Sequence, residues 1–354
     1  MTQGSERVSL CASGRMHARW QRPPPCGLPR FEPMTANQRV SLVELPVPRP
    51  GPGQVLVHVA ASPINPSDQM FLRGLYGFKK PLPAVPGFEG SGSVEETGSG
   101  FMARFLKGRR VACAAVDPRS SQGMWAEYVL TSAQSCMPLS DHVTMEQGAM
   151  MLVNPLTAWA LVDVARRGRH RAIVQTAAAS ALGKMVLKLG RRFSIPVINV
   201  VRRSEQVEAL HALGADHVLN SSDEGFDSKL CKLCQDLGAT IGFDAVSGEM
   251  SGRVLRAQPD GSELIVYGAL SLEANQIDPM SLIFEAKRVK GFWLSEWLRH
   301  RSVLGQFKLG RQVQSLLADD LKTEVHARMP LEKLASALEE YAANMTSGKI
   351  LLVP

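Results

Sequence analysis

The sequence predicts an α/β protein in which a doubly wound parallel sheet is joined to an irregular all-β module. Three observations lead there. Between about Asn154 and Gly291, short apolar runs alternate with amphipathic helical stretches, the pattern of βα units stacked into a sheet covered on both faces. Between Val40 and about Val153, short strands are broken by Pro and Gly instead. The chain has 354 residues, enough for two domains at roughly 150 residues each.

The elements follow in order. Residues 1–33 contain five Pro and no sustained period; a disordered tail is expected up to Arg15, with Met16–Trp20 as a candidate first strand. Gln54–Val59 alternates apolar and polar after the turn Pro48–Gly53. Gly90–Glu95, Arg110–Ala115 and Trp125–Leu130 are further strand candidates. In the βα region, Ala172–Thr176 reads as a buried strand and Ser180–Leu189 as a helix with Leu182, Met185, Val186 and Leu189 on one face. Pro196–Val201 is the second strand. Ser204–Leu213 is a helix that Ser204 N-caps and Gly214 ends. Ala215–Leu219, Thr240–Val246 and Glu263–Tyr267 are strands, with a helix at Phe226–Leu237. Helices at Arg311–Leu317 and Leu331–Ala343 and a strand at Lys349–Val353 close the chain.

Composition excludes several classes. Hydrophobic residues are 45% and charged residues 21%, ordinary for a soluble globular protein and unlike a disordered one. No apolar run reaches the ~20 residues that span a bilayer, so no membrane partner is expected. The net charge is +7, and residues 1–33 carry five Arg against two Glu. The remaining excess is thin and no nucleic-acid motif is present, which disfavours nucleic acid and fits an anionic small ligand. Six scattered Cys give no disulfide framework and favour a reducing compartment. A cytoplasmic location is expected. The mitochondrial matrix is the alternative, because the N-terminus is basic and poor in acids, although Pro23–Pro25 oppose a presequence helix. Cys231 and Cys234 form a C-x-x-C pair without a second pair at zinc spacing, so no metal is expected there.

A nucleotide site is suggested by the loop Ala177–Gly183 after the first strand of the βα region. Dinucleotide binding needs small residues here, so that the chain turns tightly and pyrophosphate reaches main-chain N–H groups. Ala179, Ser180, Ala181 and Leu182 lie in the loop and the helix start, and Gly183 suits close helix–strand packing. Taken alone, the loop is equally a small-residue turn. Its position adds the argument: the second strand ends in Val201-Arg-Arg203, with Arg202 nineteen residues beyond Gly183. NAD binders place an acid near here for the ribose 2′-hydroxyl. Arg202 and Arg203 would instead attract a 2′-phosphate, which favours NADPH.

With these residues the chain resembles a medium-chain dehydrogenase/reductase from about Met16 to Pro354. The resemblance is carried by Ala60–Asp68, Pro86–Val94, Asn154–Trp159 and His211–Val218. It implies a GroES-like β module over 16–153 completed by 300–354, a Rossmann NADPH-binding domain over 154–299, and an active site in the cleft between them. Zinc-dependent members carry a Cys and a His where this chain has Ser67 and Phe88, so a zinc-independent enzyme is implied. The stretches Ser281–Trp297, Gly74–Gly77 and Leu82–Val85 resemble mitochondrial-type 2-enoyl thioester reductases. In that branch a Tyr, matching Tyr76, is the proposed proton donor, and an Asn matching Asn154 lies at the active site. The same resemblance places Thr176, Gly183, Arg202, Arg203, Tyr267, Gly268, Phe292, Trp293 and Lys349 along the cofactor or its cleft. Quinone oxidoreductases share most of these motifs, and a homodimer is a family expectation.

The chemistry suits these residues. Hydride attack on the β-carbon of a conjugated C=C puts charge on the thioester oxygen, and the α-carbon then takes a proton. A phenol, with an ordinary pKa near ~10, is protonated at neutral pH and can give it. Tyr76 sits in a Gly-flanked loop, where it is either that acid or a packing residue. Asn154 opens a helical run, where Asn also serves as an N-cap. Phe292, Trp293 and Trp297 are either core aromatics or the wall of an acyl pocket. Arg166, Arg167, Arg169 and Arg171 form a solvated connection, or a contact for an acyl carrier protein or the phosphates of coenzyme A. The expected activity is NADPH-dependent reduction of a 2-enoyl thioester. The alternatives are quinone reduction and a non-catalytic NADPH-binding redox sensor.

Overall fold

The chain divides where its pattern changes, into Met1–Leu152 with Glu324–Pro354 and Val153–Thr323, in a computed structural model that describes residues 6–13 and 39–354. In the first unit, β1 (Glu6–Ser13) pairs antiparallel with β2 (Arg39–Pro46). Glu6–Ser13 was expected in a disordered tail; its backbone groups instead find partners in a ladder. The remainder of that tail and the strand expected at Met16–Trp20 lie outside the described residues.

There follow β3 (Gln54–Pro63), α1 (Pro66–Leu72), β4 (Glu89–Thr97), α2 (Phe101–Leu106), β5 (Arg110–Ala114), β6 (Tyr128–Ser132), β7 (Cys136–Pro138) and α3 (Met145–Ala149). β3 is central because its alternation buries Val55, Val57 and Val59 against Val94, Val111 and Val129. It pairs antiparallel with both β4 and β6. The strand expected from Trp125 starts later, because Trp125 is fully buried and its N–H groups donate to Pro86 O and Pro63 O.

The second unit contains α4 (Asn154–Arg167), β8 (Ile173–Gln175), α5 (Ala181–Arg192), β9 (Val197–Val201), α6 (Ser204–Ala212), β10 (His217–Asn220), α7 (Phe226–Leu237), β11 (Ile241–Asp244), α8 (Glu249–Ala257), β12 (Glu263–Val266), α9 (Pro279–Ile283), β13 (Arg288–Gly291), α10 (Leu294–Arg299) and α11 (Val303–Gln314). Its sheet order is β10-β9-β8-β11-β12-β13, and every pairing is parallel. The order reverses between β8 and β11, the switch point at which doubly wound sheets bind ligands. β8, β9 and β11 are buried throughout, which explains why their sequences are apolar apart from Gln175, Asn199 and Asp244.

Two expectations are corrected here. Ser204 does not cap α6: Arg203 is the extended residue before the helix, at φ −136° and ψ 146°, and Ser204 is already helical. Gly214, at φ 83°, does stop the helix. The chain also leaves the second unit later than residue 300. α11 buries Leu309 and Val313, and Arg301 pairs with Asp163 of α4 at 3.3 Å. This holds the segment in the second unit until Thr323.

The first unit is completed by β14 (Val325–Pro330), α12 (Leu334–Ala343) and β15 (Lys349–Val353). β15 runs parallel to β14 and antiparallel to β3. Ile350 and Leu352 thereby join Ile64, Trp125, Leu334 and Tyr341 in one core. Among the described residues no helix is long and apolar enough to cross a membrane.

Candidate active site

In the second unit, the functional candidates gather at the carboxyl edge of the parallel sheet. β8 is followed by Thr176, whose hydroxyl donates to Asp244 Oδ1 at 2.7 Å and accepts from the Ala245 N–H at 2.9 Å. These contacts join the ends of β8 and β11 across the switch point. Asp244 is fully buried and also accepts from Val246 N–H, Ser247 N–H and the Ser251 hydroxyl. It was not singled out from the sequence. The available signal was one carboxylate ending an otherwise apolar strand.

The Ala177–Gly183 turn is shaped by its backbone. Ala177 lies at φ 49°, a left-handed conformation that non-glycine residues adopt at a cost. Ser180 is extended, and its hydroxyl accepts from the Gly183 N–H at 3.1 Å, capping α5. A Cβ on Gly183 would stand 2.4 Å from Ala178 O, so only glycine permits this approach of helix and strand. Gln175, fully buried, donates to Gly183 O and Asn199 Oδ1 at 2.9 and 2.8 Å, tying the turn to β9.

Arg202 and Arg203 follow β9 directly, and both are exposed. The Arg202 backbone is held by Gln206 and Ser222, while Arg203 pairs with Glu205 at 3.0 Å. Tyr267 and Gly268 follow β12, where Tyr267 N–H donates to Asp244 O and the Ser247 hydroxyl to Gly268 O. Among the described residues the buried Tyr267 hydroxyl has no hydrogen-bond partner. Burial, reinforced by the Asp244 charge, drives its pKa up. Phe292 follows β13, and its N–H donates to Val266 O. Its ring lies 6.4 Å from Trp297, which in turn carries the Arg301 guanidinium at 3.8 Å. Trp293 is 38% exposed. Asn154 is the buried first residue of α4 and not its cap, which is Val153. In the arginine run, Arg166 stacks on Phe193 and Arg167 pairs with Asp163.

This edge suits a dinucleotide. A tight small-residue turn leads from β8 into a capped helix, two exposed arginines follow the neighbouring strand β9, and Tyr267, its buried hydroxyl without a hydrogen-bond partner among the described residues, follows β12.

The first unit holds the other two candidates. Tyr76 is half-buried, with its ring 4.5 Å from Phe88 and 5.1 Å from Phe78. Phe88 also meets Phe71 at 5.5 Å. Lys349 opens β15 in the first unit. It is 4% exposed, and its ammonium donates to Ile64 O at 3.1 Å and to Asn65 Oδ1. Asn65 passes this contact on, donating to Glu89 Oε1 at 2.8 Å, while Glu89 Oε2 accepts from the Leu152 N–H at 2.9 Å. Asp68 accepts from the N–H groups of Asn65 and Phe88. Burial pushes the Asp68 carboxyl up to about 7 and pulls the Lys349 ammonium down to about 8.

Ser67 and Phe88 offer neither thiolate nor imidazole. The Ser67 hydroxyl is buried and has no hydrogen-bond partner among the described residues. Cys231 is exposed and Cys234 buried on α7. Among the described residues no cluster of three or more His, Cys, Asp or Glu is placed to hold a metal ion.

Residues 51–141 match the alcohol dehydrogenase GroES-like domain, and residues 181–307 match the zinc-binding dehydrogenase domain. The chain is 32% identical to the mitochondrial enoyl-[acyl-carrier-protein] reductase of Arabidopsis thaliana over 84% of this chain and 80% of that protein. The chain belongs to the medium-chain dehydrogenase/reductases. Its fold is the GroES-like module with a Rossmann sheet, and it is an oxidoreductase of the zinc-free kind. The human mitochondrial enoyl-[acyl-carrier-protein] reductase is 28% identical over 84% of this chain and 80% of its own. Among solved structures, a putative NADPH:quinone reductase from Mesorhizobium loti superposes with a TM-score of 0.86, at 35% identity, covering 100% of both chains. A mycobacterial protein solved with NADPH has a TM-score of 0.78 at 25% identity, covering 89% of this chain and 96% of that one.

Proposed function

We propose that this reductase uses NADPH to saturate the C=C bond of a 2-enoyl thioester, with Tyr76 as the proton donor. The observation that carries the reading is Tyr76 itself: a half-buried phenol held by Phe78 and Phe88, in a member of the family with Phe88 where a zinc ligand would stand. NADPH is the cofactor, and when bound it supplies the hydride. Arg202 and Arg203 would hold its 2′-phosphate, and the Ala177–Gly183 turn with the start of α5 would hold its pyrophosphate. Thr176, Tyr267, Gly268, Phe292 and Trp293 are assigned to the rest of its length, and Asn154 to the reacting end. An ordinary phenol is protonated at neutral pH, and Tyr76 delivers its proton to the α-carbon, leaving a phenolate that solvent reprotonates. The acyl chain needs an apolar wall, which suits Phe292, Trp293 and Trp297.

A small-molecule substrate is common to the relatives. The names of the curated relatives support an enoyl group carried by acyl carrier protein, with coenzyme A as the alternative carrier. They also favour the mitochondrial alternative for its location. A homodimer formed through the edge strand β13 is proposed too, because Met280, Ile283 and Phe284, which precede it in the chain, are 52%, 64% and 77% exposed.

A second reading, quinone reduction, is favoured by the Mesorhizobium loti neighbour. The test is NADPH oxidation by purified protein with a medium-chain trans-2-enoyl thioester or with a quinone. Rapid thioester-dependent oxidation is expected. Oxidation with the quinone alone would give the second reading, and oxidation with neither would leave an NADPH-binding protein without turnover.

A further inference from the structure

Lys80 is a buried cation for which the proposed reaction has so far had no use. It is 6% exposed. Its ammonium donates to Ala115 O at 2.7 Å and to Gln122 O. Among the described residues no carboxylate reaches it as an ion-pair partner; the acids it faces at longer range are Asp68 and Asp117. A lysine is rarely buried without a paired carboxylate, because desolvation of the ammonium is costly. Burial accordingly lowers its pKa to about 8.

Its surroundings show what it organises. The ammonium stands 5.9 Å from the centre of the Phe88 ring and 6.0 Å from that of Phe71, at the outer limit of a cation–π contact. The Tyr76 ring packs on the same Phe88, 4.5 Å away. Ala115, one of the two carbonyl partners, also bonds Phe88 through its own N–H at 3.0 Å. Lys80 lies four residues beyond Tyr76 in the same loop between α1 and β4. One side chain therefore anchors this loop to the 115–122 segment, beside the ring that backs the phenol.

We propose that Lys80 is a positioning residue for Tyr76, fixing the phenol through the loop they share and through Phe88. The proposal rests on the enoyl reductase reading, and its test separates the two. The measurement is a double-mutant cycle of wild type, Lys80→Met, Tyr76→Phe and the double variant. Turnover is followed with NADPH and a trans-2-enoyl thioester, and folding is checked by thermal unfolding. A residue that acts through Tyr76 loses its effect once the phenol is gone.

Lys80→Met is expected to lower kcat about tenfold with the KM for NADPH unchanged, and to cost nothing further in the Tyr76→Phe background. An equal loss in both backgrounds, or a change confined to KM, overturns the proposal. No thioester turnover by the wild type, or full turnover by Tyr76→Phe, instead overturns the reading of Tyr76 on which it rests. If Lys80→Met does not fold, Phe88→Leu is measured in the same cycle, since it keeps both carbonyl bonds and removes the shared ring. There too a loss that depends on Tyr76 supports the proposal, and an equal loss in both backgrounds contradicts it.

Discussion

The two units prepare for chemistry in different ways. In the second, the candidate site is written largely in backbone: a left-handed Ala177, a glycine at 183 that tolerates no Cβ, a capped helix and the switch point of a parallel sheet. In the first, it is written in side chains from distant segments. Phe71, Tyr76 and Phe88 meet as rings, and Asn65, Glu89 and Lys349 meet as buried polar groups. A backbone site fails when a small residue gains an atom. A side-chain site fails when one partner loses its charge or its ring.

The largest stability effect should come from the backbone site. Gly183→Ala places a Cβ 2.4 Å from Ala178 O, and backbone overlap has no flexible neighbour to absorb it. A loss of about 3 kcal/mol is expected, together with loss of NADPH binding, read by thermal unfolding and cofactor titration. Near-native stability would mean that helix and strand can separate there without harm.

Next come the arginines. Replacing Arg202 and Arg203 with Asp and Ser should raise the KM for NADPH by ~10²-fold, about 2.7 kcal/mol at two phosphate contacts, while the KM for NADH changes little. Equal losses for both cofactors would show that these side chains hold something other than the 2′-phosphate.

The first unit should respond to pH. The Asp68 carboxyl is raised to about 7 by burial, so the folded chain holds a proton that the unfolded chain has released. Its contribution to stability is present below the unfolded pKa near ~4 and is lost as pH rises through the folded value. The stability difference between wild type and Asp68→Asn should therefore shift in favour of the variant by about 2 kcal/mol between about pH 5 and about pH 6.5. Chemical denaturation at both pH values reads it, and a difference independent of pH would contradict the cause assigned to the shift. The smallest effect is expected at Ala177. Ala177→Gly relieves the left-handed strain but gives entropy to the unfolded chain, so a net change under about 1 kcal/mol is predicted.

This contrast also explains what the sequence revealed. Parallel strands buried on both faces read directly as the runs at 173–175, 197–201 and 241–244, and small residues marked the turn between them. The start of α5 was legible to within one residue for the same local reason, since the helix expected from Ser180 begins at Ala181, while Ser204 misled because Arg203 is the residue that stays extended. Lys80 and Glu89 carried no local signal. Lys80 meets its partners 35 and 42 positions away, and Lys349 meets Asn65 across 284. Such contacts become visible only once the sheet of the first unit has closed.

The assignment of Tyr76 as the acid is tested most directly by comparing Tyr76→Phe with wild type in NADPH oxidation by a trans-2-enoyl thioester. The ring packing on Phe78 and Phe88 survives that change, so folding and NADPH affinity should hold. Thioester turnover should fall by ~10²-fold, within the range for removal of a general acid. Undiminished thioester turnover by Tyr76→Phe would contradict it.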